Sequence, residues 1–128
     1  MGGMEQLTAA QLNIALGSVY DPPDDPYRRL LVMRRWPRGV PKDAVDDWER
    51  ALGPSDELLD AYNDGDVPWD EFAKRYREEM AERSVLIAWV TRLASLNGIT
   101  LLCGSHPEAE CHRSLLAELV REHAARAS

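Results

Sequence analysis

The sequence contains little cysteine and no long apolar segment. Only two of its 128 residues are cysteine, too few for the disulfide framework of a small secreted domain. No run approaches the roughly 18 apolar residues that a membrane-spanning helix needs. The first residues lack the basic region and apolar core of a secretory signal. We therefore expect a cytoplasmic protein with reduced thiols and no membrane partner.

Positive charge is also scarce. The sequence has 15 Lys and Arg residues and 22 Asp and Glu residues, which gives a net charge of −7. A duplex-binding protein normally carries a basic surface, so nucleic acid is a disfavoured partner, with binding of a nucleic-acid end left open. Six cations nevertheless cluster in one segment: Arg28, Arg29, Arg34, Arg35, Arg38 and Lys42. Eleven of the acids follow between Asp43 and Glu71. This pattern favours a local site for a small anionic ligand.

The composition is that of one globular domain, with 45% hydrophobic and 29% charged residues. A chain of this length buries roughly two thirds of its surface on folding. It is too short to carry a separate cofactor domain, and no cofactor is predicted. We expect residues 1–11 to be a flexible leader and residues 12–128 to form a single α/β domain.

Two continuous apolar runs, Arg29 to Arg34 and Ile99 to Cys103, are typical of strands buried on both faces in a parallel sheet. Ile14 to Tyr20 is predicted as a further strand. Helices are predicted at 42–52, 56–63, 68–82, 84–96 and from about 111 onwards. Strands that alternate with helices predict an α/β fold, a mostly parallel sheet with helices packed on its faces.

Ligand sites in such sheets lie beyond the carboxyl ends of the strands. One of these ends precedes Arg34, Trp36 and Arg38. The two arginines could clamp a phosphate or carboxylate, and the indole could stack on the ligand. The alternative is that the arginines pair with the acidic residues that follow them.

The other informative strand end precedes Cys111, His112 and Arg113, at a predicted helix start. Backbone N–H groups at a helix start favour anions and lower the pKa of a cysteine. Cys111 is therefore a candidate nucleophile or redox thiol, His112 a candidate acid or base, and Arg113 a candidate anion ligand. The alternative is that Cys111 is a small buried apolar residue.

Cys103 is a candidate second thiol, facing Cys111, or else a core residue at the end of its strand. Cys103, His106, Cys111 and His112 together offer four ligand side chains, but their spacing matches no zinc motif, and no metal is predicted. A cysteine-phosphatase loop is excluded because Ala109 stands where an arginine would be required.

Several motifs, in this order and spacing, resemble the domain-of-unknown-function 488 (DUF488) family, most closely its YeaO-like branch. They are Val19-Tyr20-Asp21, Trp36-Pro37-Arg38-Gly39, Trp48, Pro54-Ser55, Trp69 with Phe72 and Tyr76, and Thr100-Leu101-Leu102-Cys103. The resemblance extends from about Ile14 to Val120 and implies a small α/β domain.

The same resemblance bears on the candidate site. Cys103 followed by Cys111-His112-Arg113 is similar to the cysteine pair and Cys-His-Arg ending of the wider family, whereas the YeaO-like branch often carries Asn-His there. The wider family also tends to have an acidic residue soon after the first cysteine, where this chain has Gly104-Ser105-His106. The family name implies no activity.

Three functional hypotheses follow. The protein is an enzyme whose thiol chemistry acts on a small phosphorylated or carboxylated substrate, or a module that binds an anion or nucleic-acid end without turnover. Alternatively, it is an accessory protein that acts through a partner or a homodimer, with its acidic helices as the contact surface. The sequence leaves open whether it is an enzyme.

Overall fold

A parallel four-stranded sheet organises the structure, a computed structural model that describes residues 12–104 and 111–127. The predicted leader, residues 1–11, lies outside the described residues. The strands are β1 (Ile14–Ser18), β2 (Arg28–Leu31), β3 (Asp47–Trp48) and β4 (Ile99–Cys103), in the spatial order β1-β4-β2-β3. Every neighbouring pair is parallel. The last strand in the sequence therefore lies between the first two, which confirms the predicted fold class.

The helices are α1 (Asp56–Asn63), α2 (Trp69–Met80), α3 (Ser84–Leu96) and α4 (His112–Ala127). Their positions agree with the helical spacing of apolar residues. Ser55 caps α1 as its sequence predicts, because its side chain accepts a hydrogen bond from the Leu58 amide. Gly98, just after α3, has a φ of 99°, which glycine adopts without steric cost.

The prediction of a helix over residues 42–52 is wrong. Two short 3₁₀ turns, Lys42–Ala44 and Arg50–Leu52, flank β3 instead. The backbone amides of Asp46 and Glu49 donate to carbonyls of β2, at 2.9 and 3.0 Å. Because β2 offers this free edge, sheet hydrogen bonds replace the few that a short helix would form. The spacing of Val45 and Trp48 is compatible with both arrangements.

The sheet separates two apolar clusters, and alternate residues of β2 and β4 belong to different ones. Leu30 and Leu101 lie in the larger cluster, and Leu31 and Leu102 in the smaller one. All four helices contribute buried residues to the larger cluster, among them Leu58, Phe72, Tyr76, Ile87, Val90, Leu116 and Val120. Met33, Trp36, Val40 and Val45 cover the smaller cluster. The helices therefore hold one face of the sheet, and the segment after β2 covers part of the other.

Across the described ranges, every helix is too short or too polar to span a bilayer.

Candidate functional site

Two thiols meet at the carboxyl end of β4. Cys103 is the last residue of that strand, and Cys111 directly precedes α4. Both side chains are buried. The thiol of Cys111 donates to the sulfur of Cys103, with 3.1 Å between the two Sγ atoms. The parallel strand and the start of the returning helix thus bring together the two cysteines that the sequence singles out.

His112, the first residue of α4, completes a cluster with these thiols. Its Nδ1 atom lies 3.9 Å from each sulfur. Its Nε2 atom lies 2.6 Å from the carbonyl oxygen of Val32. Because a carbonyl only accepts, Nε2 carries the proton, and in the neutral ring Nδ1 presents its lone pair to the sulfurs. Tyr76 packs against the imidazole, with 5.6 Å between the ring centroids.

Arg113 joins the site to two strand ends. Its side chain is 1% exposed. Its Nη1 donates to the carbonyl of Gly17 at 2.8 Å and to that of Cys103 at 3.3 Å. These bonds hold the start of α4 against the ends of β1 and β4. The sequence predicts Arg113 as an anion ligand, but in the structure its guanidinium is buried among backbone carbonyls.

The electrostatics of Cys111 differ from the sequence-based expectation. The hydrogen bond to Cys103 contributes most to raising the pKa of Cys111, followed by burial and the charge interaction with Cys103. The backbone amide and positive charge of Arg113 act in the opposite direction. The net result is a raised pKa, so the helix start does not by itself make this thiol acidic.

A cavity of about 300 Å³ opens onto the cluster. Cys103 and His112 line it, whereas Cys111 is not among the described residues that do. The other lining residues are Tyr20, Met33, Arg34, Arg35, Trp36, Pro54, Leu59, Asn63 and Gly104. Cys103 therefore belongs to the cavity wall, although both thiols are almost fully buried.

Two residues of the predicted anion site, Arg34 and Trp36, also line the cavity. The Nε atom of Arg34 donates to the carbonyl of Pro54 at 3.0 Å. Among residues 12–104 and 111–127, no ion pair neutralises this guanidinium. The indole of Trp36 donates to the carbonyl of Val40 at 2.8 Å, which holds the ring in place.

Two other arginines behave differently. Arg35 lines the cavity but also pairs with Asp56 at 2.9 Å and Asp60 at 3.3 Å. The alternative of pairing with the acidic helix is thus realised at Arg35. Arg38, a predicted anion ligand, is exposed and is not among the described lining residues. Its carbonyl accepts a hydrogen bond from the hydroxyl of Tyr20.

Sequence reasoning missed Tyr20 and the carbonyl of Val32 as site groups, and it counted Arg35 in the cationic segment without choosing it as an anion ligand. Tyr20 follows the carboxyl end of β1, so the strand-end rule could have found it. Arg35 belongs to the same cationic segment as Arg34 and carried a signal of the same kind. No sequence signal marks Val32, because it acts through its backbone.

Three groups of the cluster are common metal ligands. The Sγ atoms of Cys103 and Cys111 and a ring nitrogen of His112 all lie within 4.8 Å of one another. The sequence spacing of these residues matches no metal-binding motif, so no metal is predicted. Sequence spacing does not show that the folded chain brings Cys111 and His112 against Cys103 at the end of β4. His106, the fourth ligand considered from the sequence, lies outside the described residues.

Comparison with known proteins gives matches over most of the chain. A family model described as "Active DUF488-N3 subclade" matches residues 14–124. The uncharacterized protein YeaO of Escherichia coli K12 is 33% identical over 114 residues, which cover 86% of this chain and 98% of that protein. The uncharacterized protein Rv3073c of Mycobacterium tuberculosis H37Rv is 33% identical over 113 residues, or 86% of this chain and 95% of that protein. No solved structure gives a significant match.

Proposed function

The chain belongs to the DUF488 family, in its YeaO-like branch, and we propose that it is a thiol-dependent enzyme that acts on a small phosphorylated or carboxylated molecule. Cys103 is the nucleophile, His112 the general base and acid, and Arg34 the anion ligand. The sequence suggests Cys111 as the nucleophile and Cys103 as the second thiol. We propose the reverse assignment, with Cys103 as the nucleophile and Cys111 as the second thiol.

One observation carries this proposal. Cys103 lines the cavity beside His112, and the hydrogen bond from Nε2 to Val32 turns Nδ1 towards the sulfurs. A thiol beside a base that a third group orients is the recurring arrangement of nucleophilic catalysis. The separation of 3.9 Å between Nδ1 and Sγ is long for proton transfer, and such contacts tighten when a substrate is bound.

The cavity supports a small substrate that carries a negative charge. Its volume of about 300 Å³ is at the lower end of the range for small-molecule sites. Arg34 brings a fixed positive charge and the geometry to hold a phosphate or carboxylate. Trp36 adds an aromatic surface for an apolar part of the ligand.

The reaction that fits these residues is nucleophilic substitution at an electrophilic carbon. Nδ1 of His112 accepts the Cys103 thiol proton as the sulfur bonds to the carbon. The bond to the leaving group breaks, and the leaving group takes that proton from His112. Water then cleaves the sulfur–carbon bond, giving its hydroxyl to the carbon and its remaining proton to the sulfur.

The test is the rate of iodoacetamide alkylation at each cysteine of the reduced protein, measured by peptide mass. We expect Cys103 to react faster than Cys111, and inorganic phosphate or a nucleotide to slow its reaction. His112→Gln keeps a donor for the Val32 carbonyl but lacks the Nδ1 base, so alkylation of Cys103 should slow. His123→Gln, a change further along α4, should leave the rate unchanged.

A Cys103 that reacts no faster than Cys111, and that no anion protects, would contradict the proposal. The burial of both sulfurs and the raised pKa of Cys111 favour a second candidate function, in which the same cavity binds an anion without turnover. Equilibrium binding of phosphate or nucleotide by a protein whose thiols stay inert would support that function instead.

A further inference from the structure

We propose that Cys103, Cys111 and His112 form a binding site for one thiophilic divalent metal ion, with Zn²⁺ as the probe of choice. This inference rests on the geometry of the cluster and not on the proposed reaction. Two thiolates and one imidazole are ligands that Zn²⁺ prefers, and three protein ligands leave one coordination position for water or a ligand.

The distances within the cluster are close to those of a metal site. Zinc binds sulfur at about 2.3 Å and imidazole nitrogen at about 2.0–2.1 Å. The sulfurs are 3.1 Å apart, and Nδ1 is 3.9 Å from each. A point about 2.3 Å from each sulfur and about 2.0 Å from Nδ1 satisfies all three distances. To reach a tetrahedral angle at the metal, the sulfurs need only separate by about 0.7 Å.

The surroundings of His112 supply an independent observation. Metal-binding histidines donate their other ring N–H to a carbonyl or carboxylate, which fixes the tautomer and the ring orientation. Nε2 of His112 donates to the carbonyl of Val32 at 2.6 Å in this way. The free nitrogen, Nδ1, is the one that faces both sulfurs.

Charge and access are also compatible with an ion. Burial penalises an isolated thiolate, but two thiolates and one Zn²⁺ together carry no net charge. On binding, two thiol protons leave to solvent as two sulfur–metal bonds form. Cys103 and His112 line the cavity, which provides a path for the ion. A bound ion occupies the sulfur lone pair that alkylation needs, so if Cys103 is the nucleophile, Zn²⁺ is its inhibitor.

The test is a titration of the reduced, metal-free full chain with Zn²⁺ in competition with a chromophoric chelator. We expect one ion per chain. Cys103→Ser, Cys111→Ser and His112→Gln should each weaken binding at least about tenfold, while His123→Gln binds like the wild type. Circular dichroism checks that each variant folds.

Co²⁺ gives a readout that needs no variant. Bound by two thiolates, it should show a thiolate-to-cobalt charge-transfer band together with the visible bands of a tetrahedral ion. The absence of stoichiometric Zn²⁺ binding, or bound Co²⁺ without the charge-transfer band, would overturn the inference. Fast alkylation of Cys103 without metal binding would refute only the metal site, and metal binding with inert metal-free thiols would refute only the proposed reaction.

Discussion

The Nε2 atom of His112 lies 2.6 Å from the carbonyl oxygen of Val32, a residue 80 positions earlier in the chain. This contact joins the first residue of α4 to the residue that follows β2. It determines which nitrogen of the imidazole carries the proton and which faces Cys103 and Cys111. The chemistry of the cluster therefore depends on a backbone group just beyond the end of β2.

Removing the buried guanidinium at the helix start should destabilise the protein. Arg113→Gln eliminates the charged hydrogen bonds to the carbonyls of Gly17 and Cys103. We expect a loss of about 2–4 kcal/mol in the free energy of unfolding, measured by urea denaturation. Arg121→Gln, on an exposed position of the same helix, should change it by less than about 0.5 kcal/mol. Equal effects would show that the buried contacts contribute little.

The hydroxyl of Tyr76 should contribute measurably to the free energy of unfolding. It donates to the carbonyl of Leu52 at 2.7 Å in a fully buried position. Tyr76→Phe leaves that carbonyl without its donor, and we expect a cost of about 1–3 kcal/mol by thermal or urea denaturation. Tyr20→Phe is the matched control, because that hydroxyl bonds the Arg38 carbonyl in an exposed position. A neutral Tyr76→Phe variant would contradict the prediction.

Gly53→Ala should also destabilise the fold. A Cβ atom at this position would lie 2.5 Å from the backbone nitrogen of Arg34, closer than two packed atoms approach. The neighbouring strand end would have to shift, so we expect a cost of about 1–3 kcal/mol in the free energy of unfolding. Gly65 differs in both respects, because its φ is 80° and a Cβ there would have no neighbour within 4 Å. The cost of alanine at Gly65 should therefore be limited to the backbone conformation.

The pair formed by Arg77 and Glu122 should make stability depend on pH. The hydrogen bond to Arg77 is the largest contribution to lowering the pKa of Glu122. A carboxyl group whose pKa is lower in the folded state than in the unfolded state stabilises the protein at pH values above the unfolded-state pKa, which is about 4.3 for Glu. That stabilisation is lost as the pH falls through the folded-state value.

The magnitude is small, because the two groups are exposed at 36% and 46%. We expect Glu122→Gln to lower stability at pH 7 by about 0.2–1 kcal/mol, less at high salt, and the difference from the wild type to vanish in acid. Glu78→Gln, an exposed change on α2, is the control. A difference that grows as the pH falls would have the wrong sign for this mechanism.

The two candidate anion ligands should differ in their effect on binding. Arg34→Gln removes a charge that lines the cavity, and we expect the affinity for phosphate or a nucleotide to fall about tenfold or more, since a charged hydrogen bond contributes about 1.5–3 kcal/mol. Arg38→Gln removes an exposed charge outside the described lining and should change the affinity little. Isothermal titration measures both. If only Arg38→Gln weakened the binding of phosphate or nucleotide, the anion site would lie outside the cavity.

Local patterns along the chain were enough to predict several parts of the fold. The continuous apolar run from Ile99 to Cys103 identified a fully buried strand, and the spacing of Phe72, Tyr76 and Met80 identified α2, because burial on one or both faces imposes a period on the chain. Strands that alternate with helices then determined the parallel sheet. The Cys-His-Arg motif was visible because its members are adjacent.

The way in which distant parts of the chain meet could be read only from the folded protein. Residues 42–52 have a helical spacing, but Asp47–Trp48 within this range pair with β2, because the free edge of that earlier strand supplies hydrogen bonds. Cys103 lines the cavity, Arg113 is buried against two strand ends, and Val32 orients His112. Each of these depends on contacts between residues far apart in the chain, which periodicity and local spacing do not encode.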